Sequence, residues 1–249
     1  MILDGFPKVL WINLDRCAKR KAYMEQLLKQ YAITNYRIRA VDGTNPRDPE
    51  LVDICIKNNR LTAPENACTC SHLKAMQFFV NNIEDNEIII FEDDVSFDFL
   101  QFIPYNWSEF VKNLPIDYDV IQLAITYENG NIDNTLIKTD PLSKYYCSAA
   151  YLITKIGAQK ILDRYYSNIF RKYDLSVQEY ATADSMISST GSTYSIPIFT
   201  YQTSDSTIHP RHIYTHNRSK LQQYQLWKNT TDNIDQFNKE KYFDSFAKN

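Results

Sequence analysis

Residues 87–95 read Glu-Ile-Ile-Ile-Phe-Glu-Asp-Asp-Val, and no other stretch constrains this chain as strongly. Three β-branched residues followed by Phe91 form a short, continuous apolar run, the pattern of a buried strand. Glu92, Asp93 and Asp94 follow at once, where that strand leaves the core. On extended backbone, Glu92 and Asp94 point to one side and Asp93 to the other. Three adjacent negative charges repel one another unless a cation or a ring of donors collects them. Carboxylate oxygens suit hard divalent ions such as Mg²⁺ and Mn²⁺. A solvated acidic turn at a strand end is the competing reading.

The flanking pattern is that of a doubly wound α/β sheet. Val9-Leu10-Trp11-Ile12 is a short apolar strand ending at Asn13-Leu14-Asp15-Arg16. Tyr23, Met24, Leu27, Leu28 and Tyr31 then recur at helical spacing, with Lys19, Arg20, Lys21 and Lys29 on the other side. Tyr36 to Val41 alternates like a strand and stops at Asp42-Gly43, a turn signal. Strand, helix and strand in this order open an α/β fold. Residues 45–67 carry three prolines and read as a loop with one short helix around Leu51 to Ile56. A helix is expected from Ser71 to Asn81, another from Trp107 to Leu114, and a third from Lys155 to Tyr166. Strands are expected at Val120 to Leu123, Ala149 to Ile153 and Tyr194 to Ile198, with a polar surface excursion from Tyr127 to Ser143. The organisation expected is one domain over residues 1–214 and a polar tail over 215–249, helical and docked or partly disordered.

Composition removes several function classes. A net charge of −3 gives no basic footprint for nucleic acid. Five glycines and no G-x-G-x-x-G or Walker-type run leave a phosphate-bearing ligand dependent on a metal or on side chains. No apolar stretch reaches transmembrane length and no signal peptide is evident, so a cytoplasmic location is expected, including that of a virus-encoded protein in its host cell. Cys17, Cys55, Cys68, Cys70 and Cys147 are odd in number and irregularly spaced. Cys68-x-Cys70 hints at zinc, but no second pair accompanies it, and the expectation is free thiols.

Ligands of open α/β sheets sit at the carboxyl ends of the strands. That rule draws together Asn13, Asp15 and Arg16, then Asp42 and Gly43, then the acidic strand end. Asn13 and Asp42 suit hydrogen bonding to a base or ribose, while capping by Asp15 and a turn at Asp42-Gly43 account for the same residues. Ser71-His72-Leu73-Lys74, at the expected start of a helix, offers a second cluster able to approach a phosphate, against a capped core histidine and an exposed lysine. A third cluster comprises Asp184 and the segment 204–212, in which His209 is a candidate ligand.

These pieces together resemble glycosyltransferase family 25. Ile12-Asn13-Leu14-Asp15-Arg16 with the spaced basic residues is similar to the family's "INL…R…R" opening, and Ala40-Val41-Asp42-Gly43 to its "AVDG". Ala67-Cys68-Thr69-Cys70-Ser71-His72 resembles "GCFLSH", Phe91-Glu92-Asp93-Asp94 stands for "FEDD", and Ala150 to Ala158 resembles "YLIS…GA". Asp184 matches the Asp of "PVD", and Gln202 to Ile208 the "Q…S.I" stretch. Departures are Glu65-Asn66-Ala67 where the family has Glu-Leu-Gly, and Thr182-Ala183 in place of Pro-Val; His209 has no clear counterpart.

The resemblance implies a GT-A-type nucleotide-sugar-binding fold with a mixed, mostly parallel central sheet flanked by helices. It implies a transferase that moves a hexose, galactose first among the candidates, from a UDP-sugar with inversion and with Mn²⁺ or Mg²⁺. The acceptor would be a hydroxylysine of a collagen-like protein or a glycan such as lipooligosaccharide. Glu92, Asp94 and His209 are assigned to the metal, and Asp184 to the general base. Asn13, Arg16, Asp42, Ser71, His72, Lys74, Glu92 and Asp93 are assigned to the nucleotide-sugar. A nucleotide-sugar- or glycan-binding relative without turnover and a metal-dependent nucleotide hydrolase stay open as competing readings.

Overall fold

The computed structural model of the chain describes residues 2–45, 48–127, 133–139, 145–179, 181–202 and 213–246. Alternation within single strands sets its layers. β1 (Val9–Asn13) sends Val9 and Trp11 into one hydrophobic core and Leu10 and Ile12 into another. α1 (Ala18–Gln30) buries Met24 and Leu28 in the first of these cores. β2 (Asn35–Arg39) runs parallel to β1 at the sheet edge.

After β2 come α2 (Pro49–Ile54), capped by the Asp48 side chain, and β3 (Cys55–Ile56). α3 (Ala63–Asn82) begins eight residues before the expected Ser71. Its start is fixed by a reciprocal capping box between Thr62 and Glu65, with Pro64 in the first turn, where a missing N–H costs nothing. α3 lays Leu73, Met76 and Phe79 on the second core. β4 (Glu87–Glu92) is the expected acidic strand, and a turn at Asp93-Asp94 leads into β5 (Val95–Ser96).

α4 (Trp107–Lys112), β6 (Val120–Gln122) and β7 (Thr126–Tyr127) precede β8 (Ile137–Lys138), which joins the sheet edge within the stretch expected to be a surface excursion. β9 (Tyr145–Tyr146) pairs with β7. β10 (Ala150–Thr154) runs straight into α5 (Lys155–Tyr165), capped by Thr154. β11 (Tyr166–Ser167) and β12 (Lys172–Asp174) form a small sheet with β3, and α6 (Ala183–Ser188) leads to β13 (Thr193–Ser195) and β14 (Thr200–Tyr201).

The central sheet has the order β2-β1-β4-β10-β6-β13-β8. β2, β1 and β4 are mutually parallel, β10 is antiparallel to both of its neighbours, and β6 pairs parallel with β13. The fold is therefore a mixed, mostly parallel α/β sheet, as the family resemblance implies. Both faces of β4 are covered, Ile89 and Phe91 by the first core and Ile88 and Ile90 by the second. α7 (Ile213–Asp232) and α8 (Lys239–Asp244) close the first core, where Trp227 is fully buried and donates its Nε1–H to the Pro197 carbonyl. Among the described residues, no helix is long and apolar enough to cross a membrane.

Candidate active site

Strand parity sets the surroundings of Glu92, the last residue of β4, and the turn after it sets those of Asp93 and Asp94. β1 and β4 pair in parallel with Ile12 opposite Glu92, so their carboxyl ends lie side by side. Glu92 shares the parity of Ile88 and Ile90 and faces α3. Its Oε1 lies 3.3 Å from His72 Nε2 and accepts a 2.6 Å hydrogen bond from the Ser148 hydroxyl. Asp93 falls on the α1 face, where Asn13 Nδ2 donates to it at 2.6 Å and Arg20 at 2.7 Å. The same guanidinium lies 3.5 Å from Asp94.

Asp94 is the member left incomplete. Its Oδ1 is buried and has no hydrogen-bond partner among the described residues. An unpaired carboxylate oxygen out of water is costly, and such a group keeps its proton instead. Burial, then repulsion from Glu92, pushes the Asp94 carboxyl up to about 8. Burial also raises Asp93, against the pull of Arg20 and Asn13. Glu92 goes the other way: burial opposes its ionisation, but the hydrogen bonds from His72 and Ser148 hold it below the usual carboxylate range. Without a cation, the trio therefore keeps Glu92 ionised and Asp94 protonated at neutral pH.

A cleft of about 600 Å³, counted to its open mouth, lies over these strand ends. Asn13, Arg16, Ser71, His72, Glu92 and Asp93 are among its lining residues, as is Gly43. A Cβ on Gly43 would stand 2.5 Å from Pro64 Cα, so only glycine lets the loop after β2 close against the start of α3. Several expected ligand groups are already engaged. Asn13 Oδ1 accepts from Arg37 while its amide holds Asp93, and Asp42 is tied to Arg16 at 2.9 Å and to Thr44. Asn13 thus braces the acidic trio while also lining the cleft.

The second expected cluster does not stand at a helix N-terminus. With α3 starting at Ala63, Ser71, His72 and Lys74 lie mid-helix, where no free N–H groups point at a ligand. Ser71 Oγ accepts from the Val41 N–H and donates to the Ala67 carbonyl, and Lys74 binds Glu50 and the Arg39 carbonyl. Lys74 is turned toward α2. His72 is completely buried, with Nδ1 2.9 Å from the Tyr151 hydroxyl.

Asp184 sits in the first turn of α6, anchored to α3 by the bond from Thr69 Oγ1 to the Ala181 carbonyl. Burial pushes up the thiols of Cys68 and Cys147, and the charges of Glu92, Asp94 and Asp184 add to the effect at both. Both thiols thus sense the same three carboxylates, of which Glu92 lines the cleft. His209 lies outside the described residues. Arg20, Cys68, Cys147, Ser148 and Tyr151 join the site without having been singled out as ligands. Arg20 was legible as the second arginine of the opening pattern, and Cys68 as the residue one helical turn before His72. Cys147 carries a φ of 115°, a left-handed conformation that is strained for a side-chain-bearing residue, directly beside the carboxylates.

A family model described as glycosyltransferase family 25 (LPS biosynthesis protein) matches residues 6–177. No curated protein matches the chain. Among solved structures, A197 from STIV is similar at 12% identity, covering 78% of this chain and 83% of its own, with a TM-score of 0.38. The inositol-1-phosphate CTP transferase from T. maritima is similar at 11% identity, covering 87% and 78%, also with a TM-score of 0.38. At that level of superposition neither bears on activity.

Proposed function

The chain belongs to glycosyltransferase family 25, and from that premise we propose that it transfers a hexose from a UDP-sugar to a hydroxyl acceptor, with inversion. One observation carries the reading: the buried, partnerless Oδ1 of Asp94 beside ionised Glu92, at the carboxyl ends of three parallel strands. A hard divalent ion, Mn²⁺ or Mg²⁺, fits that oxygen-donor pair, with Asp94 and Glu92 as its protein ligands. When bound, it supplies charge stabilisation to a departing diphosphate.

The chain's own residues perform the rest. Arg20 and Asn13 fix Asp93, so the turn that presents Asp94 cannot splay away from β1. His72 and Ser148 orient Glu92. Gly43 and Thr44 wall the cleft where the nucleoside would lie, and Arg16, half-exposed beside them, supplies positive charge for the diphosphate. Asp184, in the first turn of α6, is the residue assigned to take the proton of the acceptor hydroxyl; a positioned base is worth about 10²–10⁴-fold in rate. Galactose is the first donor sugar to test. A glycan hydroxyl is the first acceptor class, in keeping with the family's description, and a hydroxylysine peptide is the second.

The test is Mn²⁺-dependent binding of UDP by calorimetry, followed by turnover of a UDP-sugar panel with each acceptor class. Asp94→Asn should lose the metal-dependent component of UDP binding. Asp184→Asn should keep it and lose transfer by about 10²-fold or more. UDP binding that ignores Mn²⁺ in the wild type overturns the transferase reading, and lost UDP binding in Asp184→Asn removes that residue from the base role. Release of free sugar undiminished by any acceptor would identify a hydrolase instead.

A further inference from the structure

The residues on the α3 side of Glu92 differ in chemistry from the carboxylate pair. Cys68 and His72 are four residues apart on one helix and so share a face. The thiol of Cys68, a nitrogen of His72 and a carboxylate oxygen of Glu92 lie within 4.8 Å of one another. Sulfur and imidazole are soft or borderline donors, which favour Zn²⁺ over Mg²⁺ or Mn²⁺. We propose that Cys68, His72 and Glu92 form a zinc-selective site that shares Glu92 with the carboxylate pair, so that Zn²⁺ blocks the cleft instead of supporting turnover. The blocking role rests on the transferase reading; the binding itself does not.

The distances favour this geometry. Zinc holds imidazole nitrogen at about 2.0–2.1 Å and carboxylate oxygen at about 2.0–2.2 Å, so a tetrahedral centre separates the two by about 3.4 Å. His72 Nε2 and Glu92 Oε1 already stand 3.3 Å apart. A thiolate at about 2.3 Å from zinc needs roughly 3.5 Å to an imidazole nitrogen on the same ion, and the three ligand atoms already lie within 4.8 Å of one another. Cys68 lines the cleft with His72 and Glu92, so the fourth position opens toward solvent or ligand, as in zinc sites with three protein ligands.

The partner of the second imidazole nitrogen completes the arrangement. Zinc-binding histidines usually give their other N–H to an oxygen that fixes the tautomer. The Tyr151 hydroxyl, fully buried, stands 2.9 Å from His72 Nδ1 and is free to serve either tautomer by rotating its proton. Without metal, Nε2–H donates to Glu92 and Tyr151 donates to Nδ1. With zinc, the lone pair of Nε2 faces the ion, Nδ1–H donates to Tyr151, and the Cys68 thiol gives up its proton to solvent as the zinc–sulfur bond forms.

Co²⁺ serves as the spectroscopic probe and Zn²⁺ as the competitor, on the full chain without nucleotide. The wild type should show the intense visible bands of a tetrahedral site and the ultraviolet thiolate-to-cobalt band at one equivalent, both displaced by Zn²⁺. Cys68→Ser should lose the thiolate band, whereas Cys147→Ser should retain it. Tyr151→Phe should weaken zinc binding by about 10–100-fold. A weak octahedral spectrum in the wild type, or a thiolate band that survives Cys68→Ser, overturns the proposal. Should Cys68→Ser not fold, X-ray absorption of the zinc-loaded wild type decides: one sulfur at about 2.3 Å supports the site, and oxygen and nitrogen alone overturn it. The two readings also fail separately. Asp94→Asn should keep the thiolate band while losing Mn²⁺-dependent UDP binding, and an absent thiolate band leaves the Mn²⁺ result untouched.

Discussion

Asp94→Asn should stabilise the metal-free protein while destroying its response to Mn²⁺. The carboxyl has a pKa of about 8 in the folded chain and 3.8 as its ordinary value. Between those two values the folded state holds a proton that the unfolded state has released, so stability falls as pH rises. The sign follows from the raised pKa: Asp94 imposes no penalty below about pH 4, and its full penalty is reached above about pH 8. At about 1.36 kcal/mol per pH unit, a span of roughly three units up to pH 7 amounts to about 4 kcal/mol. The side chain keeps 18% exposure, which lets water share that penalty, so about 2–4 kcal/mol is the expected gain.

Asparagine matches aspartate in shape, carries no charge, and turns a donor toward Glu92 where repulsion stood before. At about 2–4 °C per kcal/mol for a chain of this size, the melting temperature at pH 7 should rise by about 4–16 °C. Thermal unfolding of both proteins from pH 5 to 8.5 reads the effect. The gap should widen with pH across that range, and saturating Mn²⁺ should raise the wild type alone. A gap independent of pH, or a less stable Asp94→Asn protein at pH 8, refutes the assignment of a protonated, cation-seeking carboxyl.

Two further substitutions probe the supports of the site. Arg20→Ala removes the guanidinium from Asp93, both side chains being mostly buried at 16% and 9% exposure, and should cost about 3 kcal/mol in urea unfolding. Adding Asp93→Asn should recover most of that loss, because the uncompensated charge goes with it; no recovery would show that Arg20 acts through packing. Gly191→Ala combines a φ of +79° with a Cβ that would stand 2.8 Å from Asp119 Cγ. It should cost about 2 kcal/mol and loosen the Lys160–Asp119 pair far from the cleft, with UDP binding by the folded fraction unchanged.

How much of this was legible depended on whether the signal was local. Ile88 to Glu92 carried the strand in its own apolar run, whereas the expected alternation stops at Glu92: Asp93 and Asp94 lie in the turn, where Arg20 meets both. The register that sets Ile12 against Glu92 was not local, so the bond from Asn13 to Asp93 could not be read from either segment alone. Proline density hid the start of α3, although Thr62, Pro64 and Glu65 spell an N-terminal capping signal. That shift of eight residues turned a supposed phosphate-facing terminus into a mid-helix face, and it placed Cys68 where a thiol can meet His72. Arg20 lay among lysines on the polar side of α1, and only the packed helix shows that it points at the acidic turn.

The charge count at the strand end follows from those placements. Glu92, Asp93 and Asp94 bring three potential negative charges, and Arg20 is the guanidinium placed to offset them. Asp93 takes Arg20 and Asn13, Glu92 takes His72 and Ser148, and Asp94 Oδ1 has no hydrogen-bond partner among the described residues. Burial and the neighbouring charges favour a protonated Asp94 in the metal-free chain, and the proposed dication would relieve the same imbalance. Glu92 is the ligand shared by the two proposed sites: with Asp94 it offers oxygen donors only, and with Cys68 and His72 it joins sulfur and nitrogen. Because one carboxylate serves both, the two ions should compete, and Zn²⁺ should lower the Mn²⁺-dependent component of UDP binding in the wild type.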